Sequence, residues 1–114
     1  KQQTYVKSQM KARNRTVQNK TEIKLQVILD NLFPDQFKWV GGGEVVIDGK
    51  CPDFISDGMK IIELFGHYWH DDKDVKAKKR HFSKNGYKTL VIWESELKDL
   101  QSLTTKLLKF NTTL

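Results

Sequence analysis

The sequence predicts a small α/β domain, a mixed β-sheet flanked by helices. Three observations carry this reading. Residues 20–32 hold apolar side chains at helical spacing. Residues 36–65 hold short strand-like runs broken by three glycines and two Asp-Gly pairs. Residues 72–109 run helix, strand, helix.

Taken in order, residues 1–18 are polar, rich in Gln, Asn, Lys and Arg, and read as an arm with a helical stretch over 5–13. Leu25, Ile28, Leu29 and Leu32 then recur at steps of three and four, so residues 20–32 form a helix. Asn19 and Glu22 have the spacing of a capping box, and Phe33-Pro34-Asp35 stops the helix. Strands follow at 36–40, 44–48, 53–56 and 59–65, in the manner of a β-meander. Gly41-Gly42-Gly43 separates the first two, Asp48-Gly49 closes the second and Asp57-Gly58 the third. A basic helix spans 72–85 and ends at Asn85-Gly86. Residues 87–93 are a nearly continuous apolar run, expected to be a central strand buried on both faces. It follows a helical crossover, so it can lie parallel to the strand at 60–65. An amphipathic helix over 96–109 completes the domain.

The composition excludes several classes. At 114 residues the chain is one domain, and 38% hydrophobic with 30% charged residues is globular rather than disordered. No window approaches a membrane span, and the polar first 20 residues are no signal peptide. The single Cys51 rules out an intramolecular disulfide and a zinc site built on a cysteine pair, and points to a reducing compartment. The chain begins at Lys1 rather than Met and reads as a fragment of something longer. The net charge of +6 resides in residues 1–24, with seven Lys/Arg against one Glu, while residues 25–114 carry thirteen of each sign. A second basic cluster comprises Lys76, Lys78, Lys79, Arg80 and Lys84. Such clusters suit a polyanion, most often nucleic acid; the bland alternative is a solvated terminus and a solvated helix face.

The residues that carry chemistry fall in one pattern. Glu63 lies inside Ile61-Ile62-Glu63-Leu64-Phe65, where an unpaired carboxylate is costly to bury, so it needs a cation, a metal or a shared proton unless it faces solvent on an edge strand. Asp53 follows Pro52 at a strand start and, taken alone, is an ordinary turn carboxylate. The Asp57-Gly58 turn folds it back toward Glu63. A two-residue loop pairs residue 53 with 62 and turns Glu63 to the other face; a three-residue loop pairs 53 with 63; both registers are open. Carboxylates at adjacent strand ends repel unless a cation bridges them, and oxygen ligands suit Mg²⁺. His70 follows two aromatics, Tyr68 and Trp69, and histidine can serve as a general base or simply sit at the surface. The alternation suggests that one of Tyr68 and Trp69 points in and one out. His67 and His70, with His81 as the only other histidine, do not make a zinc site.

These residues together resemble a family. Pro52-Asp53, then Ile62-Glu63-Leu64-Phe65-Gly66-His67-Tyr68-Trp69-His70, Gly86-Tyr87 and Val91-Ile92-Trp93-Glu94 are similar to the very-short-patch-repair-like endonucleases of the PD-(D/E)xK superfamily. The closest subgroup is the phage-type homing endonucleases with a Glu-Asp-x-His-Asp signature, and the match runs from about residue 19 to residue 97. The resemblance implies a restriction-endonuclease-like fold, with residues 1–18 as a basic arm and 19–114 as the catalytic domain. It implies Mg²⁺ or Mn²⁺ as cofactor and a bacterial or phage-infected cytoplasm. Glu22 matches the helix glutamate, Asp53 the metal-binding aspartate, and Leu64 the variable position whose carbonyl faces the metal. His70 matches the general base and Asp74 the last acid, with Asp71 and Asp72 as fallbacks. Glu63 joins the metal directly or supports it. Two departures stand out. The superfamily lysine falls at Phe65, which shifts the base role to His70, and the cysteines of the repair enzymes' zinc site are missing, which favours the homing branch.

The reaction implied is metal-dependent hydrolysis of DNA phosphodiesters. Lys7, Lys11, Arg13, Arg15 and Lys20 of the arm, Tyr68 and Trp69 of the loop, and Lys76, Lys79 and Arg80 of the basic helix are the expected contacts to double-stranded DNA. Cutting both strands with one such site needs a homodimer or sequential nicks, and specificity elements are expected elsewhere in the full chain. The competing readings are a mismatch-specific repair nickase, a non-catalytic nucleic-acid-binding module, and an interaction domain whose Asp53 and Glu63 pair with lysines.

Overall fold

The computed structural model describes residues 6–7, 17–68 and 70–113. Its elements are β1 (Val6–Lys7), α1 (Lys20–Leu32), β2 (Phe37–Trp39), β3 (Val45–Val46), β4 (Phe54–Ser56), β5 (Lys60–Phe65), α2 (Asp72–Ser83), β6 (Lys88–Trp93), a 3-10 turn (Glu94–Lys98) and α3 (Leu100–Asn111). The helix expected over 5–13 lies largely outside the described residues. Within it, Val6–Lys7 is a strand paired antiparallel with β3.

Helix α1 starts as its sequence dictates. The Asn19 side chain accepts from the Glu22 N–H at 2.9 Å, and Glu22 Oε1 accepts from the Asn19 N–H at 3.0 Å, so two otherwise orphaned donors are satisfied. Four strands form the main sheet in the order β2-β4-β5-β6. The first two pairings are antiparallel, and β5 with β6 is parallel, as the crossover through α2 allows.

Strand periodicity divides the core. Phe54, Ile62 and Ile92 pack with Leu25 and Leu29 of α1 and Leu103 and Leu107 of α3 on one face. Ile61 packs with Val40, Ile47, Phe82 and Tyr87 on the other face, toward α2. Glu63, two residues past Ile61, shares the α2 side; Leu64 shares the α1–α3 side.

Two expectations are corrected. The strands at 36–65 are not a simple meander, because β3 leaves the main sheet and β2 pairs directly with β4. The Gly41–Gly43 run releases the chain: a Cβ on Gly41 would lie 2.5 Å from the Trp39 indole Nε1. Val45 and Ile47 are then buried over the α2 face instead of extending the ladder. Asp48-Gly49 makes the expected tight turn, with φ of 49° and 86° and Ile47 bridged to Lys50. The second correction concerns β6, which is an edge strand rather than a central one. Val91 and Ile92 are buried because elements cover both faces, not because strands flank both sides. The outer edge is itself blunted: Lys106 Nζ donates to the Val91 carbonyl at 3.1 Å and to both Glu96 oxygens at 2.9 Å. No helix among the described residues is long and apolar enough to cross a membrane.

Candidate active site

The β4–β5 connection decides the centre of the site. It is a three-residue loop, Asp57-Gly58-Met59, with Met59 in the left-handed region at φ 63°. Phe54 pairs with Ile62, which continues to Asp53 opposite Glu63. Both carboxylates therefore share a face. Glu63 Oε2 accepts from the Asp53 N–H at 2.8 Å, and Asp53 Oδ2 accepts from the Leu64 N–H at 2.9 Å. Asp53 is 8% exposed and Glu63 only 2%, so neither the exposed edge position nor the simple turn position describes them.

Burial acts first on Glu63, and the neighbouring Asp53 charge adds to it. Together they push its carboxyl up from 4.5 to about 8, although Lys78 and the Asp53 N–H pull the other way. Lys78 Nζ stands 3.2 Å from Glu63 Oε1. Sequence reasoning placed Lys78 in a basic cluster suited to nucleic acid or to a solvated helix face, and gave it no role in the site. Its position carried a signal, though, because Asp74, Lys78 and Phe82 are four apart and share the inward stripe of α2.

These groups line a cavity of about 510 Å³ at the carboxyl end of β5, the end at which parallel strands commonly present ligand sites. Glu22, Asp53, Glu63, Leu64, His70 and Lys78 all border it, so residues from α1, β5, α2 and the intervening loops converge. Glu22 is 4% exposed, and its capping role already explains its presence in α1. His70 stacks on Phe65 with ring centroids 4.0 Å apart, and its Nδ1 stands 3.5 Å from Asp74 Oδ2. Of the three candidate last acids, Asp74 is the one beside His70. Asp71 is the N-cap of α2, accepting from Lys73 N and Asp74 N, while Asp74 Oδ2 accepts from Asp71 N at 3.0 Å. One capping box thus fixes the carboxylate that faces the histidine.

A second cleft of about 570 Å³ adjoins the first and shares His67, Tyr68 and Glu94 with it. Lys20, Lys24 and Lys98 border it. His67 Nε2 lies 2.7 Å from Ser95 Oγ, and its ring stacks on Trp93 at 4.6 Å, which ties the 66–68 loop to the 3-10 turn. Tyr68 is 85% exposed; Trp69 lies outside the described residues, and with it the expectation that one of the two points inward. Lys76, Lys79 and Arg80 are exposed on α2. Of the arm, Lys11, Arg13 and Arg15 lie outside the described residues, as does the Lys7 side chain. Glu94, which borders both cavities and stands against Gly66, belongs to a run that carries the resemblance but was given no role in the site by the sequence reading, since a glutamate following a strand carries no distinguishing pattern of its own.

No group of three or more His, Cys, Asp or Glu side chains among the described residues forms a ready metal cage. The donor chemistry still suits a hard cation. Asp53 and Glu63 face each other across adjacent strand ends and both border the cavity, so each can offer carboxylate oxygen to an ion there. Mg²⁺ usually takes only one or two carboxylates and completes its shell with water and phosphate.

No family model and no curated protein matches the chain. Among solved structures, the catalytic domain of the homing endonuclease I-Bth0305I is similar, with a TM-score of 0.64 and 25% identity. The similarity covers 82% of this chain and 94% of that one. The mixed α/β architecture described above is therefore shared with a homing endonuclease catalytic domain.

Proposed function

We propose that this chain is the catalytic domain of a metal-dependent DNA endonuclease of the homing type, within the PD-(D/E)xK group. The observation that carries the reading is the buried Asp53–Glu63 pair at the mouth of a polar cavity, joined there by His70 and Lys78. A structural role alone gives two adjacent buried carboxylates little reason to persist, because apolar replacements of similar volume are often as stable.

Asp53, Glu63 and the Leu64 carbonyl would hold Mg²⁺ or Mn²⁺. When bound, the ion supplies charge neutralisation at a phosphodiester and lowers the pKa of a water molecule. The chain's own residues do the rest. Asp53 Oδ2, tied to the Leu64 N–H, and Glu63 Oε2, tied to the Asp53 N–H, are held in place before any substrate arrives. His70 accepts the proton of the attacking water at Nε2. Its ring plane is set by Phe65, and its Nδ1 side is held by Asp74. Glu22 reaches the same cavity from α1 and orients water there. Lys20, Lys24 and Lys98 along the adjoining cleft, the exposed Tyr68, the α2 cations Lys76, Lys79 and Arg80, and the arm cations Lys7, Lys11, Arg13 and Arg15 contact flanking DNA. Dimerisation on DNA and a separate specificity element belong to the same proposal.

The test is nicking of supercoiled plasmid at low salt, with Mg²⁺ or with EDTA, by wild type and by Asp53→Ala. Nicking that requires the metal and disappears in a folded variant supports the reading. Binding without nicking under any divalent ion would instead favour a non-catalytic nucleic-acid-binding module. A marked preference for mismatched duplex would favour the repair nickase.

A further inference from the structure

Four carboxylates border the cavity at the end of β5: Glu22, Asp53, Glu63 and Glu94. A phosphodiester entering it meets the carboxylates of Glu22, Asp53 and Glu94, and in a partly buried space that repulsion is screened far less than in water. Among the described residues that line the cavity, Lys78 is the only lysine or arginine. The other described basic groups noted above lie on α2 outside the cavity or along the adjoining cleft, where they can hold flanking phosphates.

Lys78 is also held in an unusual way for a helix-surface lysine. It is one turn before the fully buried Phe82, its Nζ lies 5.7 Å from the centre of that ring, and its side chain is 23% exposed. The ammonium sits 3.2 Å from Glu63 Oε1, on the cavity side of the sheet. Only one of its three donors is needed there, which leaves two for an oxygen inside the cavity.

On the endonuclease reading above, we infer that Lys78 is a further catalytic residue, whose ammonium contacts a non-bridging oxygen of the scissile phosphate. Its bond to Glu63 holds it in place while the cavity is empty and aims it at the position where negative charge develops. A pre-positioned donor of this kind contributes about 10²–10³ in rate in other enzymes. The role requires positive charge and reach, so arginine should replace it in part and an uncharged isostere should not.

The experiment uses the full chain, supercoiled plasmid, and the Lys78→Met and Lys78→Arg variants. Nicking is measured at single turnover with Mg²⁺, plasmid binding with Ca²⁺ as a function of salt, and Mn²⁺ affinity without DNA. The expected result is nicking about 100-fold slower in Lys78→Met, Mn²⁺ affinity no weaker than wild type, and at least tenfold recovery in Lys78→Arg. The slope of log affinity against log salt should fall by about 0.9, the value for one lost phosphate contact. A lowered melting temperature with wild-type nicking by the folded fraction would reduce Lys78 to a structural counter-ion and overturn the inference. So would a rate loss that tracks weakened Mn²⁺ binding, since Lys78 would then act only through Glu63. If wild type binds plasmid but never nicks it, the endonuclease reading fails on its own. The phosphate contact is then decided by the salt slope: a fall in Lys78→Met keeps it and an unchanged slope removes it.

Discussion

Between about pH 4.5 and 8, the folded protein without metal should lose stability as the pH rises, and Glu63→Gln should abolish that dependence. Glu63 has its carboxyl raised from 4.5 to about 8, chiefly by burial and then by Asp53. Over that window the folded chain retains a proton that the unfolded chain has released. Stability is therefore fully present below pH 4.5 and is lost progressively until the pH passes 8. Each unit of such a shift corresponds to about 1.4 kcal/mol, so the whole window has a ceiling of roughly 5 kcal/mol. That is comparable to the entire stability of many small domains. Urea unfolding in EDTA from pH 5 to pH 8.5 reads the effect directly. In wild type the midpoint should fall across this range. In Glu63→Gln the amide still accepts from the Asp53 N–H but cannot ionise, so the midpoint should stay nearly flat. Adding Mg²⁺ or Mn²⁺ at pH 8 should restore wild type and leave the variant unmoved. A wild-type profile parallel to that of Glu63→Gln would refute the reasoning, because it would mean that Glu63 already ionises freely in the folded state.

Related changes should separate stability from activity. Asp53→Asn should melt higher than wild type at pH 8 in EDTA, because the charge that opposes Glu63 ionisation is gone, yet it should not nick plasmid; calorimetry and the nicking assay check the two halves. His70→Ala should slow nicking by about 10²–10⁴-fold with little change in plasmid binding, as expected for loss of a general base. Asp74→Asn should slow nicking less, and should also cost about 1 kcal/mol by weakening the α2 capping box, measurable by urea unfolding. Gly41→Ala should cost about 1–3 kcal/mol by overpacking, since its Cβ would lie 2.5 Å from Trp39 Nε1; the same unfolding assay reports it.

Much of the fold was readable because its signals are local. The Asn19–Glu22 capping box, the 3–4 spacing of Leu25 and Leu29, and the Asp48-Gly49 turn each depend on residues a few positions apart. The misreadings share a cause. A continuous apolar run such as Leu90–Trp93 reports cover on both faces, and helices or strands can supply it. In the same way, strand-like Val45 and Val46 report burial without saying which sheet receives them. The site was legible where a residue broke its local pattern. Glu63 between isoleucines and leucine-phenylalanine is the clearest case; Lys78, on the inward stripe of α2, was read only as one member of a basic cluster.

Residue types and their spacing along the chain were enough to place the helices after residue 19 and most of the strand segments, and to single out the carboxylates and the histidine as candidates. They left open whether Asp53 and Glu63 meet. That choice turned on one loop residue: with Met59 in the left-handed region the connection has three residues, and Glu63 falls on the face of Asp53. A shift of one residue would have sent it to the α1–α3 face, since side chains alternate along a strand. The tertiary structure likewise brought Lys78 to Glu63 and Asp74 to His70. Such encounters depend on how α2 lies across the sheet, and packing between distant segments sets that angle, not the preferences of neighbouring residues.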